Sequence, residues 1–437
     1  MHKLSLLAEY MNGILIGDDL EIDDFLLDSR EEKINSLFVA IKGEHVDSHN
    51  FLEGAKKSGA IAFLIEDDKF VDTKLGSFIV VKDTKKALID AAYKYRKILN
   101  TYFIGVTGSV GKTSTKEMIY FSLKNSVNIF KTKGNMNSDI GLPIMVLNIN
   151  KNVDIAVLEF GVSQVGDMEL LNRICPVDIA VITNIGVSHI EFFKTKENIL
   201  NEKVKIVSEY TKKIFYNADD ELLLKYFKNN DKAEGYFDID YNYINEKIEF
   251  EYMYNFKKEK FLLSVLGKHN IKNAVVSIKI CNYLSDKYNI NLENIKKGIY
   301  EYKPLNGRGN IIHTKDLMII DETYNASIDS VKAGFEMLND IITNKSKIII
   351  LGSMLELGEQ SENIHKEIIT LFKKYKFDKL LLYGKEFSFL NDNEETIIYF
   401  NDKNDIIKYI QSNIVSSIVY VKGSRGMKME DVVNAIC

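Results

Sequence analysis

The sequence contains no tryptophan, only 3 prolines and only 3 cysteines in 437 residues. Cys175, Cys281 and Cys437 lie far apart and are odd in number, which argues against a disulfide framework or a cysteine metal cluster. No stretch approaches the ~18 uninterrupted apolar residues of a membrane span. The N-terminus reaches Glu9 after too short an apolar run for a signal peptide. We therefore expect a cytoplasmic protein with free thiols and no membrane insertion.

A long basic run is also missing, and the net charge is −5. This balance argues against nucleic acid and against an anionic membrane surface as partners. The chain lacks an internal repeat and a coiled-coil face, which favours a monomer. Its hydrophobic content of 46% is ample for buried cores. At ~150 residues per domain, the length predicts about three domains.

The most informative part of the chain runs from Tyr102 to Ser114. An apolar, strand-like run leads into a glycine-rich turn, then Gly-Lys-Thr, then a helical pattern that extends to about Asn125. Glycines let backbone N–H groups approach phosphate oxygens, and the helix points its positive dipole end at the same anion. Lys112 is placed to reach the β- and γ-phosphates and Thr113 to bind Mg²⁺. The stretch predicts a nucleoside triphosphate site.

This loop departs from the common Gly-x-x-x-x-Gly-Lys-[Ser/Thr] pattern at one position. Val106 stands where the first glycine is usual, and the glycines present are Gly105 and Gly108. An ordinary glycine turn followed by a chance Lys-Thr is the alternative. The order of strand, loop and helix favours the phosphate site. The loop does not indicate which reaction the triphosphate drives.

The pattern along the chain predicts an α/β fold of three domains. Residues 1–100 are typical of a small α/β domain. Residues 101–308 predict a mainly parallel sheet covered on both faces, with an antiparallel excursion over residues 236–266. Residues 309–437 predict a Rossmann-like, doubly wound domain. The strand candidates are 36–41, 61–65, 77–81, 102–106, 154–160, 178–185, 317–320, 347–351, 379–383 and 417–421, and the helix candidates are 50–58, 85–99, 114–125, 330–342, 361–374 and 405–411.

Polar side chains follow several of these strands. Glu159 ends one buried-type strand and His189 follows the next. Because the carboxyl ends of parallel strands face the ligand crevice, we expect both residues near the phosphate loop, where a metal-bound triphosphate needs ligands. A solvated carboxylate and a structural histidine are the alternatives. In the last region, Lys422 and Arg425 flank a glycine turn that suits a carboxylate or phosphate, with an ordinary capped turn as the alternative.

These segments, in this order, resemble the Mur ligases, ATP-dependent enzymes that build the stem peptide of peptidoglycan. The resemblance covers nearly the whole chain. It is strongest to the members that add D-alanyl-D-alanine to UDP-N-acetylmuramoyl-tripeptide. The matching segments are 28–30, 37–43, 47–51, 107–114, 134–143, 267–274, 351–358 and 422–425.

The resemblance implies a role for each matched position. The nucleotide-binding positions are Thr107, Gly108, Ser109, Val110, Gly111, Lys112, Thr113, Ser114, Asn270, Asn273, Arg308, Asp321, Tyr324 and Asn325. The metal ligands are Thr113, Glu159, His189 and Lys203, the last as a carbamate formed with CO₂, and the catalytic residues are Lys112, Glu159, His189 and Lys203. The substrate-binding residues are Ser29, Arg30, Lys42, Asn137, Asp139, Lys422 and Arg425.

The chain also departs from the family pattern. Ser327-Ile328 replaces the usual Asn-Pro, Ser353 stands where Asp is common, and Ser48 where Gly is common. These changes bear on local loop geometry and on the acceptor pocket. The sibling ligase MurE, which adds a diamino acid, usually carries an Asp-Asn-Pro-Arg motif that this sequence lacks.

The chemistry that the resemblance implies joins a carboxylate to an amine. The substrate carboxylate attacks the γ-phosphoryl group of ATP, one or two Mg²⁺ ions offset the repulsion between the anions, and the dipeptide amine displaces phosphate from the acyl phosphate. Three alternatives stay open. They are a MurE-type ligase, a P-loop nucleotide switch without ligation, and a degenerate relative that binds without turnover. The sequence does not identify the base that accepts the amine proton.

Overall fold

The computed structural model describes residues 2–43, 45–244, 246–390 and 395–437. Its first region is a small α/β unit whose sheet has the strand order β2-β7-β6-β5-β4, parallel except for the β2–β7 pair, while β1 and β3 form a separate antiparallel pair. Its elements are β1 His2–Lys3, α1 Leu4–Met11, β2 Ile14–Ile16, β3 Glu21–Ile22, β4 Asp24–Leu26, β5 Ser36–Val39, α2 Leu52–Lys57, β6 Ala60–Ile65, β7 Ser77–Val80 and α3 Thr84–Ile98.

The second region is built on a parallel sheet with the order β13-β12-β11-β8-β10-β9. Its elements are β8 Tyr102–Thr107, α4 Lys112–Leu123, β9 Ile129–Lys131, α5 Gly141–Leu147, β10 Ile155–Glu159, α6 Asp167–Ile174, β11 Ile179–Ile182, α7 Ile190–Phe193, α8 Lys196–Lys203, β12 Lys213–Asn217, α9 Glu221–Phe227 and β13 Ala233–Tyr236.

An antiparallel sheet follows, as the alternating pattern predicts. Its strands are β14 Tyr241–Ile244, β15 Lys247–Tyr254 and β16 Lys257–Leu263. The helices α10 Lys268–Tyr288 and α11 Leu292–Glu301 then return to pack on α4.

The last region has the sheet order β17-β18-β22-β19-β20-β21, parallel except at the β17 edge. Its elements are β17 Asn310–His313, β18 Leu317–Glu322, α12 Ile328–Asp340, β19 Ser346–Gly352, α13 Ser361–Tyr375, β20 Lys379–Tyr383, β21 Ile397–Phe400, α14 Lys403–Asn413, β22 Ser417–Lys422 and α15 Glu430–Ile436. The α/β architecture with mainly parallel sheets is confirmed.

Side chains on the two faces of β8 enter different cores. Phe103 packs with α3, α5 and α6, whereas Ile104 and Val106 pack under α4 and α10. A parallel strand covered on both faces needs a continuous apolar sequence, and β8 has one. Because both faces are covered, the polar residues of this region collect at the carboxyl ends of the strands. No helix in the described part of the chain is long and apolar enough to cross a membrane.

Candidate active site

The carboxyl ends of the central and C-terminal sheets face a common cavity of about 560 Å³. Loops after β8, β10 and β11 supply one wall, and the end of β22 with the end of β18 and the residues after it supply the other. Fourteen of the residues expected from the sequence line it: Ser109, Val110, Gly111, Lys112, Thr113, Ser114, Asn137, Glu159, His189, Asn273, Arg308, Tyr324, Asn325 and Lys422.

The glycine loop is held in shape by the turn after β11. The N–H of Val110 donates to Asn184 Oδ1 at 2.9 Å, and the N–H of Ser109 donates to the Asn184 carbonyl at 3.0 Å. At Gly108, where φ is 147°, an added Cβ would lie 1.9 Å from Thr183 Oγ1. The loop therefore needs glycine at this position both for its conformation and for space.

The side chain of Lys112, the first residue of α4, folds back over the loop. Its ammonium donates to the Gly108 carbonyl at 2.8 Å and to the Ser109 carbonyl at 3.3 Å. Burial lowers the pKa of Lys112; the charge of Glu159 opposes this shift and that of Arg308 adds to it. A cation held beside a glycine loop and the N-terminus of a helix is suited to bind a phosphate.

The carboxylate of Glu159 is buried beside the start of α4. Its Oε2 accepts from the Thr113 hydroxyl at 2.8 Å and its Oε1 accepts from Asn137 Nδ2 at 2.9 Å. Hard oxygen donors of this kind suit Mg²⁺, which proteins usually hold through one or two carboxylates together with substrate phosphates. Within the described residues, no group of three His, Cys, Asp or Glu side chains forms a ready metal cage. The donors present therefore fit Mg²⁺ held jointly with a nucleotide.

His189 lies on the same cavity, in the turn that begins α7. Its Nδ1 is 2.7 Å from Oε2 of Glu356, a residue of the C-terminal region. Burial lowers the pKa of His189, and the charge of Glu356 opposes that shift. A neutral imidazole is the form that binds a metal.

Lys203, at the end of α8, is 2% exposed. Burial, with the nearby charge of Lys112, holds the pKa of its amine well below the usual range. The neighbouring Glu202 carboxylate accepts from the N–H groups of Gly166 and Met168 at 3.0 and 2.7 Å. Lys203 is therefore a buried amine with a stabilised neutral form, which is the nucleophilic form of a lysine.

Of the remaining residues expected to contact the nucleotide, some line the cavity and others do not. The guanidinium of Arg308 stacks on the ring of Tyr324 at 3.8 Å, and both line the cavity with Asn273 and Asn325. The side chain of Asn270 instead donates to the Leu266 carbonyl at 2.7 Å.

Two further candidate residues of the nucleotide site make contacts inside the protein. Asp321 accepts from the Gly307 N–H at 3.2 Å and from the Thr323 hydroxyl at 2.6 Å. Thr107 donates its hydroxyl to the Phe160 carbonyl at 3.0 Å.

The candidate substrate residues are divided between the regions. Asn137 and Lys422 line the cavity, whereas Asp139 forms an ion pair with Lys85. The Arg425 guanidinium pairs with Glu430 at 2.7 Å.

The three candidates of the N-terminal region lie apart from the cavity lining. Arg30 is exposed and pairs with Asp28, and the Ser29 carbonyl accepts a hydrogen bond from the Ser58 hydroxyl. The backbone of Lys42 forms an isolated antiparallel β-bridge with that of Asp47.

Sequence reasoning did not assign a role to Asn184, Lys116 or Glu356. The sequence indicated a role for Asn184 only weakly, as a polar residue at the end of a predicted strand. Lys116 is fully buried and donates to the Thr132 carbonyl at 2.8 Å. Its burial was not predicted, because a lysine in a helix is usually expected on the exposed face. Glu356 lies far from His189 along the chain, so only the fold brings the two together.

Comparisons with known proteins identify the family. The model of the Mur ligase middle domain matches residues 106–281, and that of the Mur ligase glutamate ligase domain matches residues 307–425. The UDP-N-acetylmuramoyl-tripeptide–D-alanyl-D-alanine ligase of Bacillus subtilis is 33% identical, over 98% of this chain and 96% of the relative. The ligase of that name from Escherichia coli is 29% identical, over 99% and 98%.

Solved structures agree with these matches. A MurF structure from Acinetobacter baumannii superposes with a TM-score of 0.87 at 25% identity, covering 99% of this chain and 98% of that one. MurF ligase from Thermotoga maritima, in complex with ADP, gives 0.82 at 29% identity, covering 96% and 98%. The resemblance drawn from the motifs is thus confirmed, and the chain belongs to the Mur ligase family, in its MurF group.

Proposed function

We propose that this protein joins D-alanyl-D-alanine to UDP-N-acetylmuramoyl-tripeptide, converting ATP to ADP and phosphate. The observation that carries the proposal is one cavity that combines a phosphate loop, a buried carboxylate bonded to Thr113, and a wall from the C-terminal region. Relatives that match nearly the full chain have this activity in their names, which favours it over addition of a diamino acid by a MurE-type ligase.

The reaction needs a carboxylate to become a good electrophile. The carboxylate oxygen of the tripeptide attacks the γ-phosphorus, the bond from that phosphorus to the bridging oxygen breaks, and ADP leaves. Lys112, the loop N–H groups and Arg308 offset the negative charge of the phosphates as the acyl phosphate forms. The dipeptide nitrogen then attacks the acyl carbon and phosphate departs.

Thr113, Glu159 and His189 would hold Mg²⁺, and a carbamate on Lys203 would add an anionic ligand. A protonated lysine would repel the cation, so Lys203 fits this role only when it is modified. A bound Mg²⁺ would neutralise charge on the transferring phosphoryl group. Support for the carbamate comes from the low pKa of the Lys203 amine, because only the neutral amine adds to CO₂.

The remaining roles extend the proposal to the whole chain. Residues 1–100 would bind the uridine diphosphate end through Ser29, Arg30 and Lys42, and residues 101–308 would bind ATP. Residues 309–437 would close over the site, which would shield the acyl phosphate from water. Asn137, Asp139, Lys422 and Arg425 would contact the peptide substrates. We propose a monomer that works in the cytoplasm on these small molecules.

The decisive experiment measures phosphate release and product mass with purified protein, ATP and UDP-N-acetylmuramoyl-tripeptide. D-alanyl-D-alanine should stimulate phosphate release and yield the pentapeptide product, and a diamino acid should do neither. Stimulation by the diamino acid with UDP-N-acetylmuramoyl-dipeptide would instead identify a MurE-type ligase. ATP consumption at one rate with and without both substrates, and without a lengthened product, would contradict ligation altogether.

The carbamate has its own test. Lys203→Ala should be nearly inactive and should regain part of its activity when short-chain carboxylates are added, because they can occupy the position of the missing carbamate. Wild-type protein assayed under the same additives is the control. Full activity of Lys203→Ala without additives would remove the carbamate from the proposal.

A further inference from the structure

A short segment of the C-terminal region, residues 354–360, lies against the turn that carries His189. Oε2 of Glu356 is 2.7 Å from His189 Nδ1. Two residues further on, a Cβ built on Gly358 would lie 3.4 Å from Cγ of Glu191, in α7. The contact thus joins a loop that follows β19 to a candidate metal ligand of the central region. The contact requires the C-terminal region to lie over the cavity, as it does in this structure.

The backbone at Glu356 has an unusual conformation for a residue with a side chain. Its φ is 61°, in the left-handed region that glycine occupies without strain. The residue is nevertheless a glutamate, and its carboxylate is directed at an imidazole. Strain of this kind persists where the surrounding structure holds it, and it often marks functional positions.

Stability alone does not account for this pair. The side chain of Glu356 is 54% exposed and that of His189 is 31% exposed. Exposed ion pairs contribute little to stability, because water screens the charges and two side chains lose freedom. The chemistry at the histidine offers a better reason for the contact. Metal-binding histidines commonly donate their second N–H to a carboxylate, which fixes the tautomer and the orientation of the ring.

We propose that Glu356 is a positioning residue for His189. Its carboxylate accepts the Nδ1 hydrogen of the imidazole and leaves the Nε2 lone pair free for the metal. Since Glu356 belongs to the C-terminal region, this hydrogen bond makes the metal site complete only when that region lies over the cavity. The inference rests on the proposed metal role of His189, and it links domain closure to metal binding.

The first test uses the metal-free protein and does not depend on activity. Nitrogen NMR of ¹⁵N-histidine-labelled protein, at about pH 8 and so above the usual imidazole pKa, reports which ring nitrogen carries the hydrogen. His189→Gln assigns the signal. In the wild type, the hydrogen should reside on Nδ1 of His189, and in Glu356→Gly it should redistribute towards Nε2. An unchanged pattern in Glu356→Gly would overturn the proposal.

Glycine is chosen because it suits the φ of 61° at this position. Its effect therefore cannot come from new backbone strain. Glu356→Gln, which keeps a weaker acceptor, should give an intermediate pattern. The matched control is Glu359→Gln, which removes one negative charge from an exposed position of the same segment. It should leave the His189 signal unchanged.

The second test measures the Mg²⁺ concentration that gives half-maximal ligation at saturating substrates. Loss of a carboxylate behind a metal-binding histidine typically weakens metal binding 10- to 100-fold, so Glu356→Gly should raise this concentration by at least about 10-fold. Glu359→Gln should match the wild type. A raised KM for D-alanyl-D-alanine with an unchanged Mg²⁺ requirement would place Glu356 at the acceptor amine and overturn the proposal. Lack of ligation by the wild type would contradict the proposed function, while the NMR result would still decide the Glu356–His189 contact.

Discussion

Lys116 lies one turn into α4, and its whole side chain is buried among carboxylates. Its ammonium is 3.3 Å from Glu117 Oε1 and 3.7 Å from Glu159 Oε2. Lys131 reaches the same cluster by pairing with Glu117. Two buried carboxylates close to a phosphate site would repel each other, and Lys116 compensates that charge. It also lies behind the carboxylate that faces Thr113, so it bears on the site without reaching the cavity.

Replacing Lys116 should therefore be costly. Lys116→Met keeps most of the side-chain volume and leaves Glu117 and Glu159 short of a counter-charge, which should lower the free energy of unfolding by about 3–5 kcal/mol. Urea denaturation measures this loss. Lys124→Met is the control, because Lys124 directly follows the last residue of the same helix and pairs with Glu301 near the surface. It should change the stability little. Equal stability of Lys116→Met and the wild type would show that the cluster is not a compensated charge network.

The amine of Lys203 makes stability depend on pH. Its folded-state pKa lies well below 10.5, the ordinary value of a lysine in an unfolded chain. Between these two values the unfolded chain binds a proton that the folded protein does not, so stability rises with pH across this interval. Below the folded-state pKa, the full cost of a buried charge remains. Above about 10.4 the cost has vanished, because both states are neutral.

The contribution of Lys203 is isolated by subtracting the unfolding free energy of Lys203→Met from that of the wild type. Measured by chemical denaturation without bicarbonate, the difference in unfolding free energy should shift in favour of the wild type as pH rises from neutral towards about 10. Titrating groups that do not interact with Lys203 are shared and cancel. Bicarbonate should stabilise the wild type at neutral pH and leave Lys203→Met unchanged. A difference that stays constant with pH would mean that Lys203 titrates like an exposed lysine.

At the scale of elements, the strand, loop and helix around the phosphate site could be predicted because each has a strong local signal. β8 is a continuous apolar run, and the turn after it is rich in glycine. The predicted helix start at Ser114 was late, since α4 begins at Lys112 directly after the glycine N-cap. Strands such as β13 and β17 were missed because half-buried edge strands carry weak apolar patterns.

In the candidate site, too, residues with a local sequence signal could be predicted and contacts between distant segments could not. Lys112 and Thr113 begin α4 directly after the glycine loop and Glu159 ends β10, and local sequence identifies all three positions. Two features depend on how distant segments pack, which cannot be inferred from a single sequence. They are the contact between Glu356 and His189 and the burial of Lys116.

The geometry of the phosphate loop can be tested by substitution, because two of its glycines differ in their surroundings. At Gly108 a Cβ would meet Thr183 Oγ1 at 1.9 Å, whereas at Gly111, with φ of 84°, nothing lies within 4 Å. Gly108→Ala must displace Thr183 from its place beside the loop and should weaken ATP binding about 5- to 150-fold, as 1–3 kcal/mol of overpacking implies. Gly111→Ala suffers only backbone strain and should weaken it less. Calorimetric titration with a non-hydrolysable ATP analogue measures both, and the reverse order would contradict the loop geometry.

At the scale of the whole molecule, the three expected regions do not have equally separate cores. One buried cluster runs from Leu4 to Phe227 and joins the N-terminal region to the central sheet. Helix α3 packs on α5, and the Tyr95 hydroxyl donates to the Ile149 carbonyl at 2.7 Å. The C-terminal region differs. One of its cores lies wholly within that region, and the other includes Leu266 as the one buried member from outside among the described residues.

This difference predicts how fragments of the chain behave. A fragment of residues 309–437 should fold alone, because its sheet has helices on both faces that belong to the same segment. A fragment of residues 101–308 should not, because removal of residues 1–100 strips α3 from α5 and opens a shared apolar core to water. The fragment 1–308 keeps that core and is the control. Circular dichroism and chemical denaturation should give cooperative unfolding for 309–437 and 1–308, and an aggregating or non-cooperative chain for 101–308. Cooperative unfolding of 101–308 at the stability of 1–308 would show that the N-terminal region is an independent domain. The packing of α3 would then contribute little to the stability of the central region.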